Sequence, residues 1–194
     1  MITDQLKSAT LPAHQQLEKL LVQRIKGVSS VEDYLSLLRL FYGFCHPLEE
    51  LMMSLLSESI IVDLGERRKS TALLLDMERL RGGEVEVPLC DRLPVLSSAS
   101  EALGALYVME GSTLGGSVIA DMVRKKLPEL PEDSLHFFTG YGDETQAKWA
   151  AFKQQTDAFA ATDTDKKGVI DGANKTFEAF YHWIKEQSTT PLHD

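Results

Sequence analysis

The sequence predicts a single all-α domain of six or seven helices, and three observations carry that reading. Apolar residues recur at helical spacing along nearly the whole chain, no segment shows the clean alternation of a half-buried strand, and glycine and proline mark the breaks between periodic stretches. The 194 residues suffice for one sizeable core, and 43% hydrophobic with 25% charged residues is the composition of a globular domain.

The first helix spans roughly 3–25, with Leu6, Leu17, Leu20 and Leu21 on one side. Ser29 or Ser30 acts as an N-cap, with Glu32 and Asp33 in the first turn. It opens a long apolar helix, VEDYLSLLRLFYGFCHPLEELMMSLLSE, that should bend or break around Gly43 and Pro47. A third helix covers about 67–81 and stops at Gly82 and Gly83. The stretch GGEVEVPLCDRLPVLSS has two prolines and little period, so it is a loop with at most one short extended piece. Ser97 to Ser100 open a helix to about Lys126, closed by Pro128 and Pro131. After a loop through Gly140 and Gly142, helices follow at about 144–161 and 166–187. Residues 1–187 make the domain and 188–194 a frayed tail.

Charge and cysteine usage exclude several classes. A net charge of -9, with pI ≈ 5.1 and no basic stripe, argues against nucleic-acid binding. No apolar run reaches the ~18 residues of a membrane span, and the first residues lack a basic-then-apolar leader. Cys45 and Cys90 stand in apolar surroundings without CxxC spacing, which fits a reduced, cytoplasmic protein.

Some apparent motifs fail on their chemistry. DTDKKG at 163–168 begins like a calcium loop, but Lys167 takes a ligand position and Asn174 replaces the bidentate acid, so it reads as a helix-capping turn. GSTLGGS at 111–117 spaces its glycines like a phosphate loop, yet Ser117 stands in place of the lysine and no strand precedes it. Glu178 and His182 are one helical turn apart, but one such pair is a weak metal site. His46, beside Pro47 in an apolar helix, reads as a core or bend residue.

Two segments do not behave as plain core. In LKSATLPAHQQLEKLL, Lys7 and His14 lie two turns apart on one side of a helix, ~10 Å at ~1.5 Å rise per residue. Glu18 follows His14 at i+4, where it can accept a hydrogen bond from the second imidazole nitrogen, as the partner of a metal-ligating histidine does. In EALGALYVMEGSTLGGSVIADMV, four glycines interrupt an apolar helix at a cost of ~1 kcal/mol each. Gly104, Gly111 and Gly115 clear one face, and the pair Gly115–Gly116 allows a kink. Such a bare face admits either another helix or a planar ligand. Together the two segments suit a flat, metal-bearing ligand between a histidine helix and a glycine helix, and haem fits.

These segments resemble the haem oxygenases, most closely the bacterial branch that accompanies phytochromes. LKSATLPAHQQLEKLL is similar to the family's Thr…His…Glu helix and YVMEGSTLGGSVIA to its glycine-rich distal helix, with supporting likeness in YLSLLRLFYGFCHPLEE, FFTGYGDETQAKWAAF and ANKTFEAFYHWI. The resemblance implies a helical bundle with haem between the first helix and the distal helix. His14 would be the axial iron ligand and Glu18 its hydrogen-bond partner. Gly111, Gly115 and Gly116 would lie over the distal haem face, with Ser112 beside them where animal-type enzymes carry an aspartate. Lys7 and Lys153 would pair with the haem propionates, and Tyr107 would reach the haem edge.

The implied reaction uses O2 and external electrons to open haem to biliverdin, carbon monoxide and ferrous iron. The substrate haem supplies its own iron, while the protein supplies the imidazole, orientation and hydrogen bonds. No flavin or nicotinamide motif is present, so a ferredoxin or flavoprotein reductase is the implied electron donor and a bilin-binding phytochrome the implied product acceptor. Three other readings share parts of this pattern. A haem carrier would need the same His14; a thiamine-salvage hydrolase would need a cysteine nucleophile among carboxylates; a di-iron oxidase would need two carboxylate–histidine sets.

Overall fold

The computed structural model describes residues 1–187 apart from 68, 69, 84 and 132, so the tail at 188–194, with His193, lies outside the described residues. Among the described residues the chain forms seven α-helices and no strand: α1 (Ile2–Gly27), α2 (Val31–Met53), α3 (Thr71–Arg81), α4 (Ala99–Lys126), α5 (His136–Thr139), α6 (Thr145–Phe159) and α7 (Asp163–Gln187). No described helix is long and apolar enough to cross a membrane.

Helix ends follow local chemistry. Ser30 caps α2 by accepting from the Asp33 backbone N–H at 3.1 Å, and Ser98 caps α4 by accepting from Glu101 N–H at 3.2 Å. Gly82 ends α3 at φ 74°, a left-handed conformation that glycine adopts without a Cβ penalty. The DTDKKG segment is the first turn of α7, where Thr162 accepts from the Asp165 N–H.

Three expectations are corrected. The second helix is expected to bend or break around Gly43 and Pro47 and to run on to Glu58; α2 is not broken at either residue and stops at Met53. Pro47 has no N–H for the carbonyl of Gly43; that carbonyl instead accepts from Cys90 N–H at 2.8 Å. Gly43 has its own reason, since a Cβ there would come within 2.5 Å of the Pro88 carbonyl oxygen and 2.7 Å of the Trp183 ring. The third helix starts at Thr71 and not at 67, because Arg67 is extended and held in a buried ion pair. The loop before α6 contains the short helix α5, which has no cap of its own; the buried Asp76 carboxylate of α3 accepts from the backbone N–H groups of His136 and Phe137.

α7 is the platform on which α4 and α1 both pack, while those two make little direct contact with each other. The α4–α7 crossing is backbone against backbone. A Cβ on Gly104 would lie 2.1 Å from the Val169 carbonyl oxygen, and one on Gly172 would lie 2.0 Å from that of Glu101. Beneath it, Phe41, Phe44, Phe137, Phe138 and Phe180 form an aromatic cluster, and the Trp183 indole N–H donates to the Leu40 carbonyl at 2.8 Å.

Two outcomes follow. Gly104→Ala or Gly172→Ala should destabilise the fold by at least ~2 kcal/mol in urea unfolding, because backbone must move to admit the methyl group. In α4's first turn, the Lys175 ammonium and the Ser97 donors hold the Glu101 carboxyl at about 2, down from 4.5. A carboxyl depressed in the folded state stabilises above its unfolded value, so on the order of 2 kcal/mol should be lost as pH falls from ~4.5 toward ~2. Glu101→Gln should flatten that part of the stability profile.

Candidate functional site

The first wall of the site is α1. Its buried face, which includes Leu6, Thr10 and Leu17, lies toward the core, and its exposed flank carries Lys7, Leu11, His14 and Glu18. The His14 ring sets its edge against Phe177 of α7, with centroids 5.4 Å apart. The expected hydrogen bond between His14 and Glu18 is not formed; both side chains are exposed, so nothing packs the longer carboxylate against the ring.

The second wall is α4, where the glycines divide by role. Gly104 serves the α7 crossing. Gly111 and Gly115, seven and eleven residues on, clear a stripe that is open: a Cβ on Gly115 would meet nothing within 4 Å, and one on Gly111 only the Trp149 ring at 3.8 Å. Leu114 and Val118, 40% and 60% exposed, flank that stripe and add apolar surface to it. Gly116 departs from the expectation that it shares the face, since its Cβ position is filled by the Phe138 carbonyl oxygen at 2.2 Å and it serves contact with α5. α4 is continuous through the glycine pair. Ser112 is exposed, and its hydroxyl donates to the Met109 carbonyl at 2.6 Å.

The third wall is α6. Trp149 stacks on Phe152 with centroids 5.6 Å apart, leans on Tyr107 at 5.5 Å and carries the Lys153 ammonium 5.8 Å from its ring centre. Burial raises the pKa of Tyr107, whose hydroxyl lies beside Thr10 of α1 and opposes that rise. Tyr107 thus bridges the walls. One turn beyond Thr10 stands His14, and one turn beyond Tyr107 stands Gly111. Tyr107, Gly111 and Lys153 thus meet around the Trp149 ring, with Thr10 of α1 beside Tyr107, while Lys7, His14 and Glu18 stand on the exposed flank of α1 and Gly115 on the open stripe of α4.

Behind the glycine stripe lies a buried ionic network that pattern reading missed. Arg67, 1% exposed, donates to Glu110 at 2.7 Å, to Asp63 at 2.9 Å and to the Lys148 carbonyl of α6 at 3.0 Å. Tyr141 donates to the other Glu110 oxygen at 2.8 Å, and Lys148 pairs with Asp63 at 2.9 Å. Burial alone would lower the Arg67 pKa, but Glu110 and Asp63 raise it, and Lys148 with Arg67 overcomes burial to lower that of Asp63. The one legible signal was an acid, Glu110, directly before Gly111 in an apolar helix. A surface cavity of about 420 Å³ borders this network at Arg67 and Tyr141, and no residue of α1 or of the glycine stripe lines it.

Other candidates fall outside the slot. His46 stacks on Tyr42 at 5.0 Å with Nδ1 3.2 Å from the Ser70 hydroxyl. Glu178 and His182 are both exposed on α7, and no group of three or more His, Cys, Asp or Glu among the described residues is placed to hold a metal ion. Cys45 and Cys90 are buried and not joined in a disulfide, and burial raises the Cys90 pKa, the opposite of an activated nucleophile.

Comparison with known proteins agrees along the chain. Residues 1–186 match the family model described as Heme oxygenase. A heme oxygenase of Xanthomonas campestris pv. campestris is 34% identical over 143 residues, 74% of this chain and 81% of that protein. Heme oxygenase PigA of Pseudomonas aeruginosa is 27% identical over 180 residues, 92% of this chain and 88% of that protein. The solved structure of the NO- and CO-bound heme oxygenase from Neisseria meningitidis has the same fold, with a TM-score of 0.79 at 21% identity over 100% of this chain and 95% of that one. From its first helix to its last, the chain belongs to the heme oxygenase family.

Proposed function

We propose that this haem oxygenase binds haem, its substrate, in the slot between α1 and α4, with His14 as the axial ligand to the iron. The observation that carries this placement is the open stripe of α4. Glycine in a helix interior costs ~1 kcal/mol, and at Gly115 no packed neighbour accounts for it. A planar apolar group laid along Gly111, Leu114, Gly115 and Val118 explains both the missing side chains and the exposed apolar ones. When bound, haem supplies the iron at which O2 is reduced and the ring is opened to biliverdin, carbon monoxide and ferrous iron.

The chain's own residues supply position. His14 stands at the rim with one ring edge fixed by Phe177. A rotamer change would bring Glu18, one turn away, to its second nitrogen and fix the tautomer. Lys7 on α1 and Lys153 on α6 are the cations for the two propionates, and the Lys153 ammonium already lies over Trp149 at the slot. Tyr107 closes the slot at its Thr10 end. Ser112, with its backbone and that of Gly111, holds the water that delivers protons on the distal side, while Gly116 keeps α4 tight against α5.

The external electron donor is a ferredoxin or flavoprotein reductase, since the fold carries no nucleotide motif of its own. The branch that accompanies phytochromes, with a bilin-binding phytochrome as acceptor, rests on the Glu-Gly-Ser-Thr-Leu-Gly-Gly run at 110–116. Two buried cysteines outside any disulfide support a reducing, cytoplasmic setting.

Hemin titration followed by reductant in air, on wild type and His14→Ala, tests the assignment. A Soret band at one haem per chain that converts to a biliverdin spectrum, both lost in His14→Ala, is the expected result; binding without turnover would make the chain a carrier. Gly115→Ala gives an independent check. It should stabilise the apoprotein by ~1 kcal/mol, because alanine is the better helix former and the space is open, while weakening hemin binding at least ~10-fold.

A further inference from the structure

Both ends of α1 are finished by charged side chains from the helices that make the other two walls. At its N-terminus no side chain of its own caps the helix. Asp157 of α6 does so instead, accepting from the Thr3 backbone N–H at 3.1 Å and from the Thr3 hydroxyl at 2.9 Å. At its C-terminus the ammonium of Lys126, the last residue of α4, donates to the carbonyls of Lys26 at 2.5 Å and Val28 at 2.8 Å. Unpaired N–H groups and carbonyls are what helix termini leave over, and an anion at the start and a cation at the end also suit the helix dipole. Thr3 and Lys26 are 23 residues apart, ~35 Å at ~1.5 Å per residue, with His14 near the midpoint.

We infer that Asp157 and Lys126 are positioning residues that hold α1 at a fixed place along α4 and α6, and so hold His14 opposite the Gly111–Gly115 stripe. The inference rests on the slot being the haem site. Its geometry is its own: α4 and α1 share little direct contact, so these end ties, the Tyr107–Thr10 contact and the shared platform α7 set their relation. Asp157 is one turn beyond Lys153, so the tie also fixes where that cation stands relative to α1.

The test uses the full chain with Asp157→Ala, Lys126→Met, the double variant and the conservative Lys126→Arg. In the apoprotein, amide exchange over residues 3–6 and 24–28 should quicken about 5-fold in the matching single variant, the size of a lost cap. Hemin release to an excess of an apoglobin acceptor should quicken by a similar factor in each single variant and about 25-fold in the double, because distant sites add. Lys126→Arg should restore both readings. Unchanged exchange would overturn the ties, and faster exchange with unchanged hemin release would overturn their hold on His14. If Asp157→Ala does not fold, Lys126→Met alone decides, since its side chain lies near the surface. A wild type that takes up no hemin would defeat the haem reading, while apoprotein exchange would still judge whether α1 is held.

Discussion

The fold depends on one close approach, the crossing of α4 over α7 where Gly104 and Gly172 let backbone meet backbone. Everything functional is hung from that crossing. Along α4 the same stripe that is sealed against α7 at Gly104 is open at Gly111 and Gly115, so the helix is anchored by its first half and offers its second. Along α7, Phe177 steadies His14 one helical turn beyond Ala173, which lies under the crossing. A side chain at the crossing would lift α4 and change the depth of the slot at the same time.

Electrostatics reinforces this arrangement from behind. The Arg67–Glu110 pair puts a fully buried guanidinium beside the residue that precedes Gly111, and the same guanidinium bonds a carbonyl of α6. A buried pair contributes little net stability against an apolar equivalent but penalises any arrangement that leaves one partner alone. Its effect here is therefore on geometry: the glycine wall and the Trp149–Lys153 wall stay at one spacing.

The fold class was legible because helical periodicity, serine caps and glycine stops all pointed the same way; α4 and α7 lie close to their predicted ranges for that reason. The short α5 was not legible, because its cap, Asp76, is 60 residues upstream of His136 and leaves no local trace. Within the candidate site, His14 and the glycines stood out by residue type and spacing. What spacing did not separate is why each glycine is bare. Gly104, Gly111 and Gly115 share one helical face in the sequence, yet only the fold distinguishes a face against α7 from a face against open space. Arg67 stands outside the helix that the sequence predicts over 67–81; a basic run gives no hint that one member will be buried.

Pro47 shows how a lost hydrogen bond organises a neighbour. By withholding an N–H from Gly43 it leaves a carbonyl inside α2 that the helix cannot use, and the irregular segment between α3 and α4 takes it through Cys90. That segment has little regular structure of its own, so this socket gives it an address on the body of the protein. Positions 43, 47 and 90 form a three-point joint, and further along the segment Arg92 pairs with Glu186 and the Val95 carbonyl accepts from Lys175. Restoring an N–H at position 47 would let α2 reclaim its carbonyl and remove the joint, leaving the segment held by Arg92 on Glu186 and by Lys175 on the Val95 carbonyl.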